Sequence, residues 1–167
     1  MFDDNKKTGV ICGLTVGIYM FLLWMVQKEL LFNLWVLNLS WLPYFYFIFI
    51  SIKNHHQRQP DSDFRSMVRA GFIVYLIAQI FWYITFYLLF FEIDPQLREI
   101  QAEIELERIE ESIGILGQER ANEMARLLES AEGKMRPRDL IRQFIPSLLP
   151  GFIIAAIFAL IVRRASE

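Results

Sequence analysis

Over four long stretches the chain has no Asp, Glu, Lys, Arg or His: residues 8–26, 30–52, 71–91 and 144–162. Together they make up about half of the 167 residues. A hydrocarbon layer roughly 30 Å thick needs about 20 apolar residues per helix, and each stretch meets that length. A water-soluble domain of this size would not bury four such helices. Proton relays, ion pathways and proton-coupled transporters rely on ionisable groups at membrane depth, and these stretches supply none. Cysteine is nearly absent too. The lone Cys12 rules out an internal disulfide framework and argues against a thiolate metal site. There is no Walker, dinucleotide-binding or His-Glu-x-x-His pattern. The formal net charge of −2 leaves no basic surface for nucleic acid.

What is present is oil: 54% hydrophobic residues and 15 Phe. The expected fold is all-α, a four-helix transmembrane bundle. Its spans fall at about 8–26, 30–52, 71–91 and 144–162, and a helical, acidic extramembrane insert, 92–143, lies between spans three and four. Lys6 and Lys7 before an apolar run mimic a secretory signal. The run is long, no small-residue cleavage site follows and a second span comes at once, so an uncleaved first span is expected. Four spans put both termini on one side. That side carries eight basic residues, dense in the short segments flanking the spans, and the other side nine, spread mainly through the insert. The density favours cytoplasmic termini; Lys134, Arg136, Arg138 and Arg142, just before the last span, argue the other way.

Gly9, Gly13 and Gly17 recur at four-residue steps on one face of the first span. Gly151, Ala155 and Ala159 do the same in the last. Small residues let helix backbones approach closely in a bilayer, so spans one and four are expected to pack together; dimerisation through one stripe is the alternative. Pro146 is expected in the first turn of the last span, where a missing N–H costs nothing, and Pro150 is expected to make a local bend. On the third span Tyr75, Gln79, Tyr83 and Tyr87 make a polar-tipped stripe, and Asn33, Asn38 and Ser40 of the second span are its expected partners. This face either lines a cavity for a polar solute or lipid head group, or fixes helix rotation by interhelical hydrogen bonds; the structural account is preferred.

The insert has 13 acidic and eight basic residues. Asp94-Pro95 is a helix-start signal, with Asp as N-cap. Ile93, Leu97, Ile100 and Ile104 share one face of the predicted helix, whereas Leu106, Ile109, Ile113 and Leu116 lie nearly opposite, so it packs on two different things or bends. A second amphipathic helix, 118–132, has Ala121, Met124, Ala125, Leu128 and Ala131 on one face and stops at Gly133. Acidic helices suit a hairpin or a protein partner better than anionic lipid. The basic run of Lys134, Arg136, Arg138 and Arg142 suits head-group contact or snorkelling at a span end. Neighbouring His55 and His56 point about 100° apart on a helix and make a poor chelating pair, even with Asp61 and Asp63 nearby.

The glycine-spaced first span, a second span ending Ile52-Lys53, the run from Phe64 to Gly71 entering the third span, a charged helical insert and a closing Val162-Arg163-Arg164 together resemble a family of short bacterial inner-membrane proteins. That family is a domain of unknown function, number four-one-nine-nine. The resemblance spans essentially the whole chain. It implies a four-span fold and an inner-membrane address, and it implies no catalytic residue and no cofactor. The residues themselves suggest a non-enzymatic accessory or scaffold subunit among membrane lipids, whose insert contacts another protein. The alternatives are a small transporter or lipid-handling protein using the third-span face, and, least favoured, an enzyme on a lipid-linked substrate, for which Glu92, Asp94, Arg142 and the two histidines are the only candidates.

Overall fold

A computed structural model describes residues 2–129 and 136–165, and among them there is helix and no strand. The helices are α1 (Phe2–Val26), α2 (Leu34–Leu39), α3 (Trp41–Arg58), α4 (Phe64–Tyr87), α5 (Leu97–Glu111), α6 (Ile113–Leu116), α7 (Gln118–Glu129) and α8 (Pro137–Arg164). A 3₁₀ turn, Lys28–Phe32, joins α1 to α2, and a π-helical segment, Leu88–Ile93, extends α4. Four units are long and apolar enough to cross a membrane: Asp4–Val26, Leu34–Arg58, Phe64–Ile93 and Pro137–Arg164. Their outward faces are as apolar as a core. Trp35 is 85% exposed and Ile145 74%, a distribution suited to hydrocarbon and costly in water.

The expected start of the second span at residue 30 is corrected to Leu34, because residues 30–33 form the 3₁₀ turn and the Asn33 cap. At the other ends the helices outrun the charge-free stretches or match them, because a charged residue at a helix end keeps its backbone bonds while its side chain reaches outward. The second unit is broken where the sequence suggested one rod. Pro43 has no N–H for the Leu39 carbonyl, and the helix is interrupted at Ser40. Asn33 caps α2, its side-chain oxygen accepting from the N–H groups of Trp35 (3.0 Å) and Val36 (3.3 Å). Asp63 caps α4 through the Ser66 N–H at 3.0 Å, and that bond holds its carboxyl below the usual carboxylate range.

α4 is the centre of the assembly, with α1, α3 and α8 all packed against it. The glycine stripe of α1 faces α4. A Cβ on Gly13 would lie 2.7 Å from the Phe81 side chain, and one on Gly9 would lie 2.9 Å from Ile77. Gly151 of α8 lies against the Tyr75 ring of α4, and Ala155 and Ala159 are buried in the same core. The expected pairing of spans one and four is therefore corrected. Each small-residue stripe receives large side chains of other helices, Ile77, Phe81 and Tyr75 among them, because a groove without side chains suits a bulky partner better than a second groove.

Two cores result. The larger joins Cys12, Val16, Ile48, Met67, Val74 and Ala155 from the four long units. The smaller, at the other end, joins Met20, Leu31, Leu89, Phe90 and Leu97. Leu97 belongs to α5, so the start of the insert is part of this second core. Farther along, Ile109 is buried where α7 packs along α5. The two half-stripes of α5 thus serve two different surfaces. Gly117, at φ 82°, makes the turn from α6 to α7, a conformation open to glycine at little cost.

Candidate functional site

The polar face of α4 is spent inside the protein. Gln79 accepts from the Tyr44 hydroxyl at 3.1 Å and donates to the Ser147 hydroxyl at 3.3 Å. The Tyr75 hydroxyl donates to the Ser147 carbonyl at 2.6 Å, and Ser147 Oγ donates to the Phe144 carbonyl at 2.7 Å. Tyr44, Tyr75 and Gln79 are all buried. Three helices are joined through buried polar groups that satisfy one another.

The structure brings Tyr75 and Gln79 together, but not with the expected asparagines. Asn33 is used as a helix cap, and both Asn33 and Asn38 are exposed. Ser40 bonds locally to the Leu37 carbonyl at 2.6 Å. Tyr83 sets its ring edge against Phe144, with centroids 5.3 Å apart. Sequence reading missed Tyr44 and Ser147. A signal for the second was present: Pro146 and Pro150 both lie inside α8, which begins at Pro137 and not near 144, and each deletes a backbone bond. The carbonyls that these prolines leave without a helical donor are those of Arg142 and Pro146, and Ser147 sits between the two prolines.

One prediction follows from this cluster. Tyr75→Phe removes the only side-chain donor described at the Ser147 carbonyl, and the expected loss is about 1–2 kcal/mol of stability. Thermal unfolding in detergent, with Tyr46→Phe as an exposed control, measures it.

At the far end, Asp94 forms a second polar knot. Its carboxylate accepts from the Trp24 indole N–H at 3.0 Å and pairs with the Lys28 ammonium at 2.5 Å. Only 7% of Asp94 is exposed. The hydrogen bond from Lys28, then that from Trp24, hold its carboxyl below the ordinary range. The expected helix start is corrected here: Asp94 turns to Lys28 and Trp24, and α5 begins at Leu97 after Gln96. The π-helical segment precedes it, with the Asp94 N–H donating to the Leu89 carbonyl five residues back at 2.9 Å. Arg108 of α5 reaches the Phe32 carbonyl at 2.6 Å, so the insert is fastened twice to the 28–33 turn.

The opposite end gathers the first residues of α1, the end of α3 and the start of α4. Ser51 donates to Asn5 at 2.9 Å, Arg58 pairs with Asp4, and His55 meets Ser66 at 3.2 Å. Among the described residues no group of three or more His, Cys, Asp or Glu is placed to hold a metal.

Of the basic run before the last span, Lys134 lies outside the described residues. Arg136 is the N-cap of α8, its N–H donating to Asp139 at 2.9 Å, and Arg138 stands 4.0 Å from Asp139. Arg142 is exposed. Beside them a cleft of about 410 Å³ opens between the end of α4 and the start of α8, walled by Ile80, Tyr83, Ile84, Leu140, Ile141 and Phe144.

These features define an all-α protein with four helices of membrane-crossing length and composition, joined by buried hydrogen bonds. Residues 7–164 match the family described as a protein of unknown function, DUF4199, and the chain belongs to that family. No curated protein and no solved structure matches the chain.

Proposed function

We propose that the protein is a non-catalytic accessory or scaffold subunit of a bacterial inner membrane, with cytoplasmic termini and an insert that contacts another protein on the opposite side. The observation that carries this reading is the surface of α7. It packs along α5, yet Met124 is 45% exposed and Leu127 55%. Beside them runs a groove of about 390 Å³ formed with Glu105, Arg108 and Ile109. Exposed apolar residues on an otherwise charged helical hairpin are the kind of surface that a partner helix covers. The anchoring of α5 by Leu97, Asp94 and Arg108 supports the same reading, because it holds this surface at a set place relative to the spans. The fully engaged Tyr75–Gln79 cluster supports a structural role for that face over a transport path. The density of basic residues flanking the spans near the termini supports the orientation.

Photocrosslinking side chains placed at Met124 and Leu127 in living cells test it. The expected result is a discrete protein adduct from these two positions and none from Glu103, which is exposed on α5. Monomer alone from all three positions would overturn the partner role.

A further inference from the structure

We propose that the cleft between α4 and α8 binds an uncharged, lipid-soluble carbonyl compound whose oxygen accepts a hydrogen bond from the Tyr83 hydroxyl. Four polar-tipped residues recur on α4 at one-turn steps, and three of them are engaged. Tyr75 donates to the Ser147 carbonyl, Gln79 bonds Tyr44 and Ser147, and Tyr87 donates to Glu92 at 3.0 Å. The Tyr83 hydroxyl makes no hydrogen bond to a described residue. Its oxygen is also not among the atoms shut away from the surface, so it is open to the space that its ring lines. A hydroxyl set among apolar side chains without a partner carries a desolvation cost that a bound acceptor removes.

The walls decide the chemistry of the ligand. Among the described residues that line the cleft, Tyr83 and Tyr87 bring the only polar side-chain atoms; the rest are Ile, Leu, Pro and Phe. With the Tyr87 hydroxyl given to Glu92, one donor remains. A carbonyl oxygen needs one donor and nothing more, whereas a carboxylate or ammonium would meet no opposite charge on this wall. The volume, about 410 Å³, suits a small organic ligand. Tyr83 and Phe144 meet edge to face and both bound the cleft, so a flat body fits between the helices. Ile84 and Ile141, 52% and 73% exposed, leave the cleft open at the side, where a ligand dissolved in hydrocarbon enters. Two sources carry this chemistry: the ring ketone of a quinone and the ester of an acyl lipid. The inference needs the long helices to stand in a bilayer and is independent of any protein partner of α7.

Equilibrium dialysis against nanodiscs holding the full chain, with empty nanodiscs subtracting simple partition, tests the inference. The probes are menadione against methylnaphthalene for the ring ketone, and methyl dodecanoate against tetradecane for the ester. The expected result is about 10-fold tighter binding of a carbonyl probe than of its hydrocarbon match, the scale of one hydrogen bond. The pair that shows it names the source. Tyr83→Phe keeps the ring against Phe144 and brings the ratio to about 1-fold, with the unfolding midpoint unchanged. Ile84→Trp, at a half-exposed wall position, fills the cleft and weakens binding of every probe with the Tyr83 hydroxyl in place. Equal binding within both pairs, a ratio kept in Tyr83→Phe, or undiminished binding by Ile84→Trp would each overturn the proposal.

Discussion

Gly151→Leu is expected to unseat the last helix. A Cβ at this position would already overlap the Tyr75 ring, and the ring is fixed on three sides by Trp41, Tyr44 and its own hydroxyl bond to Ser147. Relief would require α8 to move away from α4, breaking the bond to Ser147 and opening the core at Ala155. Overpacking of this kind costs about 3 kcal/mol or more, which for a chain of this size lowers the unfolding midpoint by about 6–12 °C. Gly13→Leu is expected to behave alike through Phe81. Gly114 meets nothing within 4 Å of an added Cβ, so Gly114→Leu is expected to leave the midpoint unchanged or raise it slightly. Thermal unfolding of the three variants in one detergent separates close packing from a general effect of removing glycine. Equal midpoints for all three would contradict the packing described for α8.

The second large effect is expected at Asp94. Asp94→Ala deprives Lys28 and Trp24 of their shared acceptor, and two charge-assisted hydrogen bonds go with it. Loss of such bonds at a buried carboxylate costs about 2 kcal/mol. The damage is local, because Asp94 ties the insert and the 28–33 turn to the smaller core and leaves the larger core untouched. Amide exchange in residues 28–33 and 94–108 is therefore expected to quicken about 30-fold, with α8 unaffected. The same knot sets an acid limit. Its carboxyl titrates lower in the folded protein than in the unfolded chain, so its contribution is complete above an ordinary aspartate value near 4. It is lost as the pH falls from there through the folded value. Exchange in these two segments is expected to be flat from about pH 7 to 5, once corrected for intrinsic rates, and to rise below about pH 4. In Asp94→Ala this acid-dependent rise is expected to be absent.

How much of this was legible beforehand depends on the kind of information each residue carries. The four long units were legible because the exclusion of charge from about 20 consecutive positions is a property of the solvent and needs no knowledge of neighbours. The small-residue stripes were legible as contact surfaces, but their partners were not. Gly9, Gly13 and Gly17 state only that something comes close, and whether it is another stripe or Ile77 and Phe81 depends on the three-dimensional order of the helices. Tyr75 and Gln79 were legible as groups needing partners. Asn33 looked like one such partner from its amide, yet three positions of separation from Val36 made it a better cap. Asp94 failed in the same way. Next to Pro95 it reads as a cap, and only the fold brings Trp24 and Lys28, some seventy positions earlier in the chain, within reach of it. The break at Ser40 could have been read from Pro43, whose missing donor falls on the turn before it.

The central place of α4 has a consequence for how the chain is assembled as it leaves the ribosome. α1 and α3 make far less contact with each other than each makes with α4, so in a bilayer the first hairpin would stand without its principal neighbour. Until α4 arrives, the glycine groove of α1 faces acyl chains and Gln79's future partner Tyr44 has nothing to hold. The third long helix is then the keystone, and an error in its delivery would leave α1 with little to hold it and α8 held by α3 alone, through Phe45 and Phe49 against Phe158.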